Sequence, residues 1–200
     1  MSASAGAVAG RTGGRPRDAQ VDADVLEAAL DLLIEIGYNA TSMEAVAARA
    51  GVAKSTVYRR WPSKDDLIVD ALARIKGEIV PPPPGTVRTQ LIFLLEQMRS
   101  HWNNRRQVRL MQRLTADGIE RPERYREIRA RVLLPRRKVI RDCLQRGVDA
   151  GELDPTADLN WAVDLLVAPV VAAGLTHQPR FGAAQAEFVV DTVLRGLARP

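Results

Sequence analysis

Residues 41–64, TSMEAVAARAGVAKSTVYRRWPSK, constrain the fold of this chain more than any other segment. They comprise a short apolar helical pattern, a glycine, and a second short pattern that is rich in hydrogen-bond donors and cations and ends at Pro62. Gly51 suits a tight turn, because glycine adopts positive φ angles without strain. Two short helices joined in this way form a helix-turn-helix, whose second helix lies in the major groove of DNA. The segment therefore predicts a DNA-binding unit.

Capping signals predict the helices of the N-terminal region. Asp24 can cap a first helix that runs to Ile36, and Gly37 can stop it. A capping box over Thr41–Glu44 opens the second helix, and Ser63 caps the fourth, with an acidic residue three positions later. The four helices are thus expected at about 24–36, 41–50, 54–61 and from 63 onward.

Proline and glycine residues punctuate the remainder of the chain. Pro81 to Pro84 form a stiff break, which is the best candidate for a domain boundary. One apolar register continues from Pro122 across Pro135, which predicts a single long kinked helix that Gly151 closes. Two strongly apolar helices are expected at 159–175 and 183–197.

The predicted fold class is all-α, because no period-two alternation typical of strands appears. The predicted organisation is a flexible basic arm (1–20), a helix-turn-helix DNA-binding domain with a three-helix N-terminal core (21–80), and a larger helical domain (85–200). The single Cys143 lies on an apolar helical stripe and suits a core position in a reducing cytoplasm. No apolar run reaches about 18 residues, so we expect no membrane span and a cytoplasmic location.

Net charge does not by itself identify the DNA-binding region. The formal net charge is +5, but residues 1–84 hold 10 basic and 11 acidic side chains, whereas residues 85–150 hold 16 basic and 7 acidic ones. The positive excess therefore lies outside the helix-turn-helix. What matters for DNA is the local run of cations without an intervening acid, and that run consists of Arg49, Lys54, Arg59, Arg60 and Lys64.

Two basic stretches outside the helix-turn-helix allow two interpretations each. Residues 1–20 are either a disordered tail or an arm that follows phosphates or enters the minor groove. The arginine-rich tract 105–146 is either a solvated helical surface or a contact surface for an acidic ligand, DNA or a partner. The solvated surface is favoured, because Glu123 with Arg126 and Glu127 with Arg131 have the spacing of ordinary helical ion pairs.

Each polar residue of the 41–64 segment has an expected role. Lys54 and Ser55, at the start of the second short helix, are placed to reach base edges. Lys64 is expected to clamp a phosphate at the start of the fourth helix, and Trp61 is expected to pack in the core. The other contacts are expected to involve phosphates or, for Thr56, a thymine methyl group. The predicted DNA-contacting residues are Thr41, Ser42, Lys54, Ser55, Thr56, Tyr58, Arg59, Arg60 and Lys64.

These residues resemble the N-terminal domain of the TetR-type (TetR/AcrR) transcriptional regulators. The resemblance covers roughly residues 21–80 and rests on Gly37-Tyr38, Thr41-Ser42, the Ala50-Gly51-Val52 turn, Ser55-Thr56-Val57-Tyr58 and Pro62-Ser63-Lys64. The C-terminal run from Ala168-Pro169 through Phe188-Val189-Val190-Asp191 to Leu197 resembles, more loosely, one C-terminal domain class of that family.

The resemblance implies an all-helical homodimer that represses transcription from a palindromic operator. Residues 85–200 would then be a ligand-binding and dimerisation domain, in which an unknown small-molecule effector pulls the fourth helix and spreads the two recognition helices. The half-sites must then lie about 34 Å apart, or a multiple of that distance. The alternative is an architectural or ligand-independent DNA-binding protein, which would leave the large helical domain unexplained.

Apolar residues of the second domain suggest a pocket and a dimer interface. The candidate pocket residues are Leu94, Met98, Trp102, Met111, Leu114, Tyr125 and Trp161. The last two helices carry more apolar surface than one subunit easily buries, which predicts a symmetric four-helix interface between two copies, with an intramolecular core as the alternative.

An enzyme is the competing class, and the sequence gives it little support. His101 and His177 lie far apart without metal-ligand spacing, and no HExxH, GxSxG or glycine-rich phosphate loop occurs. We therefore predict no catalytic residue, no metal site and no cofactor.

Overall fold

A computed structural model describes residues 15–76, 80–102, 104–120, 122–176 and 181–199. The regular secondary structure of these residues is helical, apart from one isolated bridge between Leu153 and Ala198. The elements are α1 (Arg15–Ala40), α2 (Met43–Arg49), α3 (Lys54–Arg60), α4 (Lys64–Lys76), α5 (Val87–Trp102), α6 (Arg105–Glu120), α7 (Pro122–Ile128), a π-helical turn (Arg129–Leu133), α8 (Leu134–Asp149), α9 (Leu159–Leu175) and α10 (Ala183–Gly196). None of the described helices has the length and apolar character needed to cross a membrane. The predicted all-α fold class is confirmed.

Helix α1 begins at Arg15, well before the predicted cap at Asp24, so that prediction was wrong. Proline is tolerated in a first helical turn, and no breaker lies between Pro16 and Gly37. Asp24 accepts a hydrogen bond from Gln20 Nε2 at 2.8 Å instead. The last six residues of the predicted flexible arm 1–20 are helical, while residues 1–14 lie outside the described ranges.

The turns around α2 and α3 follow from local chemistry. Ser42 caps α2 by accepting a hydrogen bond from Ala45 N at 3.1 Å, so the cap lies one residue later than the predicted Thr41. Gly51 has a φ of 67° between α2 and α3, as its place in a tight turn predicts. Ser63 Oγ accepts from Asp66 N at 3.1 Å and caps α4, which confirms the prediction.

The buried side chains form two clusters, which we call the first and second cores. The first core joins α1 to α4 with residues of α6 and of the α7–π-turn segment, among them Leu110, Leu114 and Val132. The second core joins α5, α8, α9 and α10 and contains the buried Cys143, whose pKa is raised by burial. The chain passes from one core to the other near Pro81–Pro84, but it later returns to the first. The proline break therefore does not separate two independently packed units.

The segment from Pro122 to Asp149 is one continuous helical path with a π-helical turn before Pro135. Proline lacks the N–H that would bond to the carbonyl four residues earlier, so the helix must adjust in that turn. Leu134 N bonds to Arg129 O, five residues back, which is the π-helical pattern. The predicted single helix across Pro135 is confirmed, and its irregularity is the π-helical turn.

Candidate nucleic-acid interface

Helix α3 presents a polar face to solvent because its opposite face is anchored in the first core. Val57 is fully buried there, next to Val46 and Ala47 of α2. Lys54, Ser55, Tyr58 and Arg59 are exposed, and Thr56 is half-buried. The predicted base-reading residues Lys54 and Ser55 thus lie at the exposed start of α3.

Tyr58 is held by a residue that the sequence analysis named only as part of the capping box. Its hydroxyl donates a hydrogen bond to Glu44 Oε1 of α2 at 3.0 Å. This bond raises the pKa of Tyr58. The pKa of Glu44 is lowered by a hydrogen bond from the backbone N–H of Glu44 itself and by the bond from Tyr58. Glu44 therefore stays anionic at neutral pH beside α3, and its charge opposes any phosphate nearby while its oxygen orients the phenol.

Thr41 and Ser42 have separate roles. The Thr41 side chain is only 1% exposed, and its hydroxyl donates to Gly37 O at 2.7 Å. The hydroxyl is thus used within the protein, and the predicted DNA contact of Thr41 stays a prediction that would require this bond to open. Ser42 is half-buried at the start of α2, where it serves as the helix cap.

Lys64 ties the start of α4 to the end of α1. Its ammonium donates to Tyr38 O at 2.9 Å and to Thr41 O at 2.8 Å, and it lies 4.2 Å from the centroid of the Tyr38 ring. The Tyr38 hydroxyl in turn donates to Asp65. These contacts fix the angle at which α2 leaves α1. The phosphate clamp predicted for Lys64 stays a prediction, and it would compete with these acceptors.

Two of the predicted cations are paired with acids of α1. Arg60 forms an ion pair with Asp22, and Arg49 forms a two-pronged ion pair with Glu35, with N–O distances of 3.0 and 2.7 Å. The phosphate contact predicted for Arg60 stays a prediction and would require this pair to open. Trp61 is buried and its Nε1 donates to Asp70 at 2.9 Å, which confirms its predicted core position.

Fewer cations of this run are therefore available at the surface than the sequence suggests. Among the described side chains of that run, Lys54 and Arg59 are the two that make no hydrogen bond or ion pair with another described residue. Both lie exposed on α3. With Ser55 between them in sequence, they form the group that we call the α3 donor face: Lys54, Ser55 and Arg59.

Helix α4 also connects to the C-terminal half of the chain. Arg131 of the π-helical turn forms an ion pair with Asp66 at 3.0 Å, so the predicted pairing of Arg131 with Glu127 was wrong. Hydrogen bonds from Ser63 and then Arg131 lower the pKa of Asp66. The predicted pair between Glu123 and Arg126 is present at 3.6 Å.

The predicted pocket residues are divided between the two cores. Met111 and Leu114 pack with the first core, whereas Leu94, Met98 and Trp102 pack with the second. Trp161 is 63% exposed, and its place in the pocket stays a prediction. Leu94 and Met98 do line a small cavity of about 40 Å³ with Arg136. The side chain of Tyr125 lies outside the described part of the chain.

Trp102 lies against α9, not in open space. A Cβ atom built on Gly174 would overlap its indole ring, so the glycine permits the close approach of α5 and α9.

Exposed apolar side chains lie on α9 and α10. Trp161 is 63% exposed and Leu165, one turn later, is 49% exposed, while Phe188 of α10 is 67% exposed. These three are the large apolar residues that a single copy of the chain leaves uncovered on its last two helices. We call them the α9–α10 apolar face.

Several contacts that shape the interface could not be found from sequence patterns. Glu44, Asp22 and Asp66 meet Tyr58, Arg60 and Arg131 across tertiary contacts that no sequence spacing indicates. The available signals were Glu44 in the first turn of α2 and Asp66 in the first turn of α4. Acidic residues are ordinary at a helix start and do not indicate a partner.

Two protein-family models match successive parts of the chain. The family model described as "Bacterial regulatory proteins, tetR family" matches residues 25–71. The model described as "Tetracyclin repressor-like, C-terminal domain" matches residues 81–193, which is more than half of the chain.

Proteins similar in sequence to this chain are named as transcriptional regulators. The HTH-type transcriptional regulator YdeS of Bacillus subtilis is 30% identical over 157 residues, covering 78% of this chain and 79% of its own length. The DNA-binding transcriptional repressor TetR of Mycobacteroides abscessus is 33% identical over 190 residues, covering 89% of this chain and 94% of its own. The structure of FadR from Bacillus subtilis in complex with stearoyl-CoA superposes with a TM-score of 0.64 at 17% identity, covering 88% and 98% of the two chains.

Proposed function

The chain belongs to the TetR family of transcriptional regulators, and we propose that it acts as a dimeric repressor on a two-fold symmetric operator and releases it when a small-molecule effector binds. It is a transcriptional regulator and not an enzyme. The proposal adds the operator symmetry, the dimer, the direction of control and the effector, as well as a cytoplasmic location, where chromosomal DNA is accessible. Repression is supported by the 33% identity to a protein named as a repressor.

The observation that carries the proposal is the α3 donor face. Lys54, Ser55 and Arg59 are exposed on a two-turn helix whose other side is fixed by the buried Val57. A short helix held at its back and rich in donors at its front can enter a major groove without rearrangement of the core. Lys54 and Ser55 would contact base edges, and Arg59 would contact a phosphate.

An effector response is supported by the way the C-terminal half packs on the DNA-binding half. Helix α6 and the π-helical turn contribute Leu110, Leu114 and Val132 to the first core, and Arg131 pairs with Asp66 at the start of α4. A shift of these elements would move α4 and therefore α3. A ligand that binds one arrangement better than the other can then change operator affinity.

A dimer is supported by the α9–α10 apolar face. Large apolar side chains left exposed on adjacent helices favour association with a second copy, and a two-fold axis makes the same face serve both subunits. Two recognition helices related by that axis would meet two half-sites about 34 Å apart, or a multiple of that distance.

The test is selection of binding sites by the full-length protein from a random pool of duplex DNA. We expect an enriched sequence with two inverted half-sites whose spacing fits whole helical turns. Binding that falls steeply with salt but enriches no sequence would overturn the operator proposal and favour an architectural DNA-binding protein. Enrichment of a single, asymmetric half-site would overturn the two-fold arrangement alone.

A further inference from the structure

A cleft between α8 and α9 is lined by several of the basic residues that give the C-terminal half its positive charge. It has a volume of about 320 Å³, which is at the lower end of the range for small-molecule sites. Its lining includes four cations, Arg129, Arg137, Lys138 and Arg141, against one carboxylate, that of Asp164. It is separate from the α3 donor face and from the 40 Å³ cavity near Leu94.

Two polar contacts cross the cleft, one helical turn apart. Arg137 of α8 forms an ion pair with Asp164 of α9, and Arg141 Nε donates to Asn160 Oδ1 at 3.2 Å. Residues four apart on a helix lie on one face, so the two guanidinium groups point across the same space. Guanidinium groups in that arrangement bind the oxygens of carboxylates and phosphates in pairs.

The remaining cations of the cleft lack a matching acid on its walls. Lys138 pairs with Asp142 of its own helix at 2.6 Å. The exposed side chain of Arg129 makes no ion pair or hydrogen bond with another residue in the described ranges. Like charges that line one concave surface repel each other and focus a positive potential there, which an anion relieves.

The cleft also has an apolar wall. Leu134 is 43% exposed at its edge, and Val163 of α9 contributes a buried aliphatic surface. An exposed leucine beside four cations suits a molecule that carries both an apolar group and an anionic group. Inorganic phosphate alone would leave that wall uncovered.

We propose that this cleft is a binding site for a small organic oxyanion, whose carboxylate or phosphate group bridges Arg137 and Arg141 and whose apolar part covers Leu134. The Asp164 carboxylate then occupies, in the unliganded protein, the place that the ligand's oxygens take next to Arg137. Ligand binding exchanges this internal carboxylate for an external one. The inference goes beyond the proposed function and does not depend on DNA binding.

The test is isothermal titration of the full-length protein with three probes: phenyl phosphate, benzoate and the neutral benzyl alcohol. We expect one site per chain for one or both of the anions and no measurable binding of the alcohol. The better of the two anions identifies the ligand's head group as phosphate or carboxylate. Equal binding of the alcohol would overturn the proposal, as would the absence of binding by both anions.

Three substitutions locate the site. Arg141→Gln should weaken anion binding about tenfold, which corresponds to the loss of one charge-assisted hydrogen bond. Asp164→Asn should strengthen it several-fold, because the competing internal carboxylate is removed. Arg109→Gln is the matched control, since Arg109 is an exposed arginine of α6 outside the cleft, and it should leave affinity unchanged.

The paired loss and gain keep the test independent of folding defects. A variant that fails to fold can lose binding, but it cannot gain it, so an increase for Asp164→Asn supports the cleft directly. Unchanged affinity in both Arg141→Gln and Asp164→Asn would place the anion elsewhere and overturn the proposal. Because no DNA is present in the titration, its result is independent of whether the operator proposal holds.

Discussion

Lys54 and Arg59 are both exposed cations of α3, but they lie at opposite ends of the helix. The start of a recognition helix points at base edges, whereas positions further along it lie nearer the phosphates. We therefore expect Lys54→Ala to change which base is preferred at one or two half-site positions, with a loss of discrimination of about 1–3 kcal/mol. Arg59→Ala should weaken binding to every sequence and reduce the salt slope by about 1.

The measurement is operator affinity for wild type and both variants, over a series of salt concentrations and of single-base operator changes. Arg49→Ala is a suitable comparison, because Arg49 is bonded to Glu35 and lies off α3. If Lys54→Ala weakens all operators equally and leaves the base preference intact, Lys54 contacts the backbone and the assignment to bases is wrong.

Two roles compete for the Lys64 side chain, which can either hold backbone carbonyls of its own chain or bind a DNA phosphate. If its main role is to hold the carbonyls of Tyr38 and Thr41, Lys64→Met should lower the free energy of unfolding by about 1–3 kcal/mol, since two carbonyls lose a charged donor. We expect this loss, together with weaker binding to all DNA because α2 and α3 are then less firmly oriented.

Thermal unfolding and salt-dependent DNA binding of Lys64→Met separate the two roles. A variant that unfolds like wild type but has a salt slope lower by about 1 would show that Lys64 acts as a phosphate clamp. Lys64→Arg serves as the control that keeps the charge while changing the shape of the donor.

The start of α4 depends on one carboxylate for both its cap and its link to the π-helical turn. Asp66 pairs with Arg131 and bonds Ser63, and these contacts hold its pKa below the ordinary value of 3.8. A carboxyl with a lowered pKa adds stability that is present above its ordinary pKa and is lost as pH falls through the lowered one. We expect Asp66→Asn to unfold at a lower temperature than wild type at pH 7, with a difference that shrinks below about pH 4.

Thermal unfolding at a series of pH values checks this expectation. Asp142→Asn is the control, since Asp142 pairs with Lys138 within the same helix and joins no second element. A difference between Asp66→Asn and wild type that stays constant down to pH 3 would show that the carboxylate charge is not its cause.

The elements that were predicted correctly are those fixed by local chemistry. Gly51, Ser63 and the apolar register across Pro135 determine structure through residues close to them in the sequence, so the sequence alone predicts their effect. The start of α1 was predicted wrongly because Asp24 is a good capping residue, but the helix does not begin there. Polar residues without a breaker simply continued the helix back to Arg15.

The interface was only partly predictable, for a physical reason. Which of several cations stays available for DNA depends on which acids lie across a tertiary contact. Arg60 meets Asp22 and Arg131 meets Asp66 through packing of separate helices, and no spacing rule links these positions. The exposed pair Lys54 and Arg59 could therefore be identified as part of the set of predicted contacts, but not distinguished from Arg60, until the fold was known.

At the scale of the whole molecule, the two cores explain how one end of the chain can affect the other. Helix α6 lies against α1, where Arg106 pairs with Glu27 at 2.6 Å and with Asp31 at 2.7 Å. Tyr38 N donates to Asp117 of α6 at 2.8 Å, close to the point where α2 leaves α1. A displacement of α6 thus acts on the helix-turn-helix through several bonds together with the shared first core.

The α9–α10 apolar face leads to the last prediction, which concerns assembly. If two copies meet there, Trp161→Glu and Phe188→Glu should each weaken dimerisation about 30-fold or more, because a buried aromatic anchor contributes about 2 kcal/mol or more. Sedimentation equilibrium should then find a dimer for wild type and a monomer for the double variant at micromolar concentration. Ile119→Glu is the matched control, because Ile119 is 81% exposed on α6 and does not belong to this face. A double variant that still sediments as a dimer would mean that the subunits meet elsewhere, and operator binding would then have to be explained by a different two-fold axis.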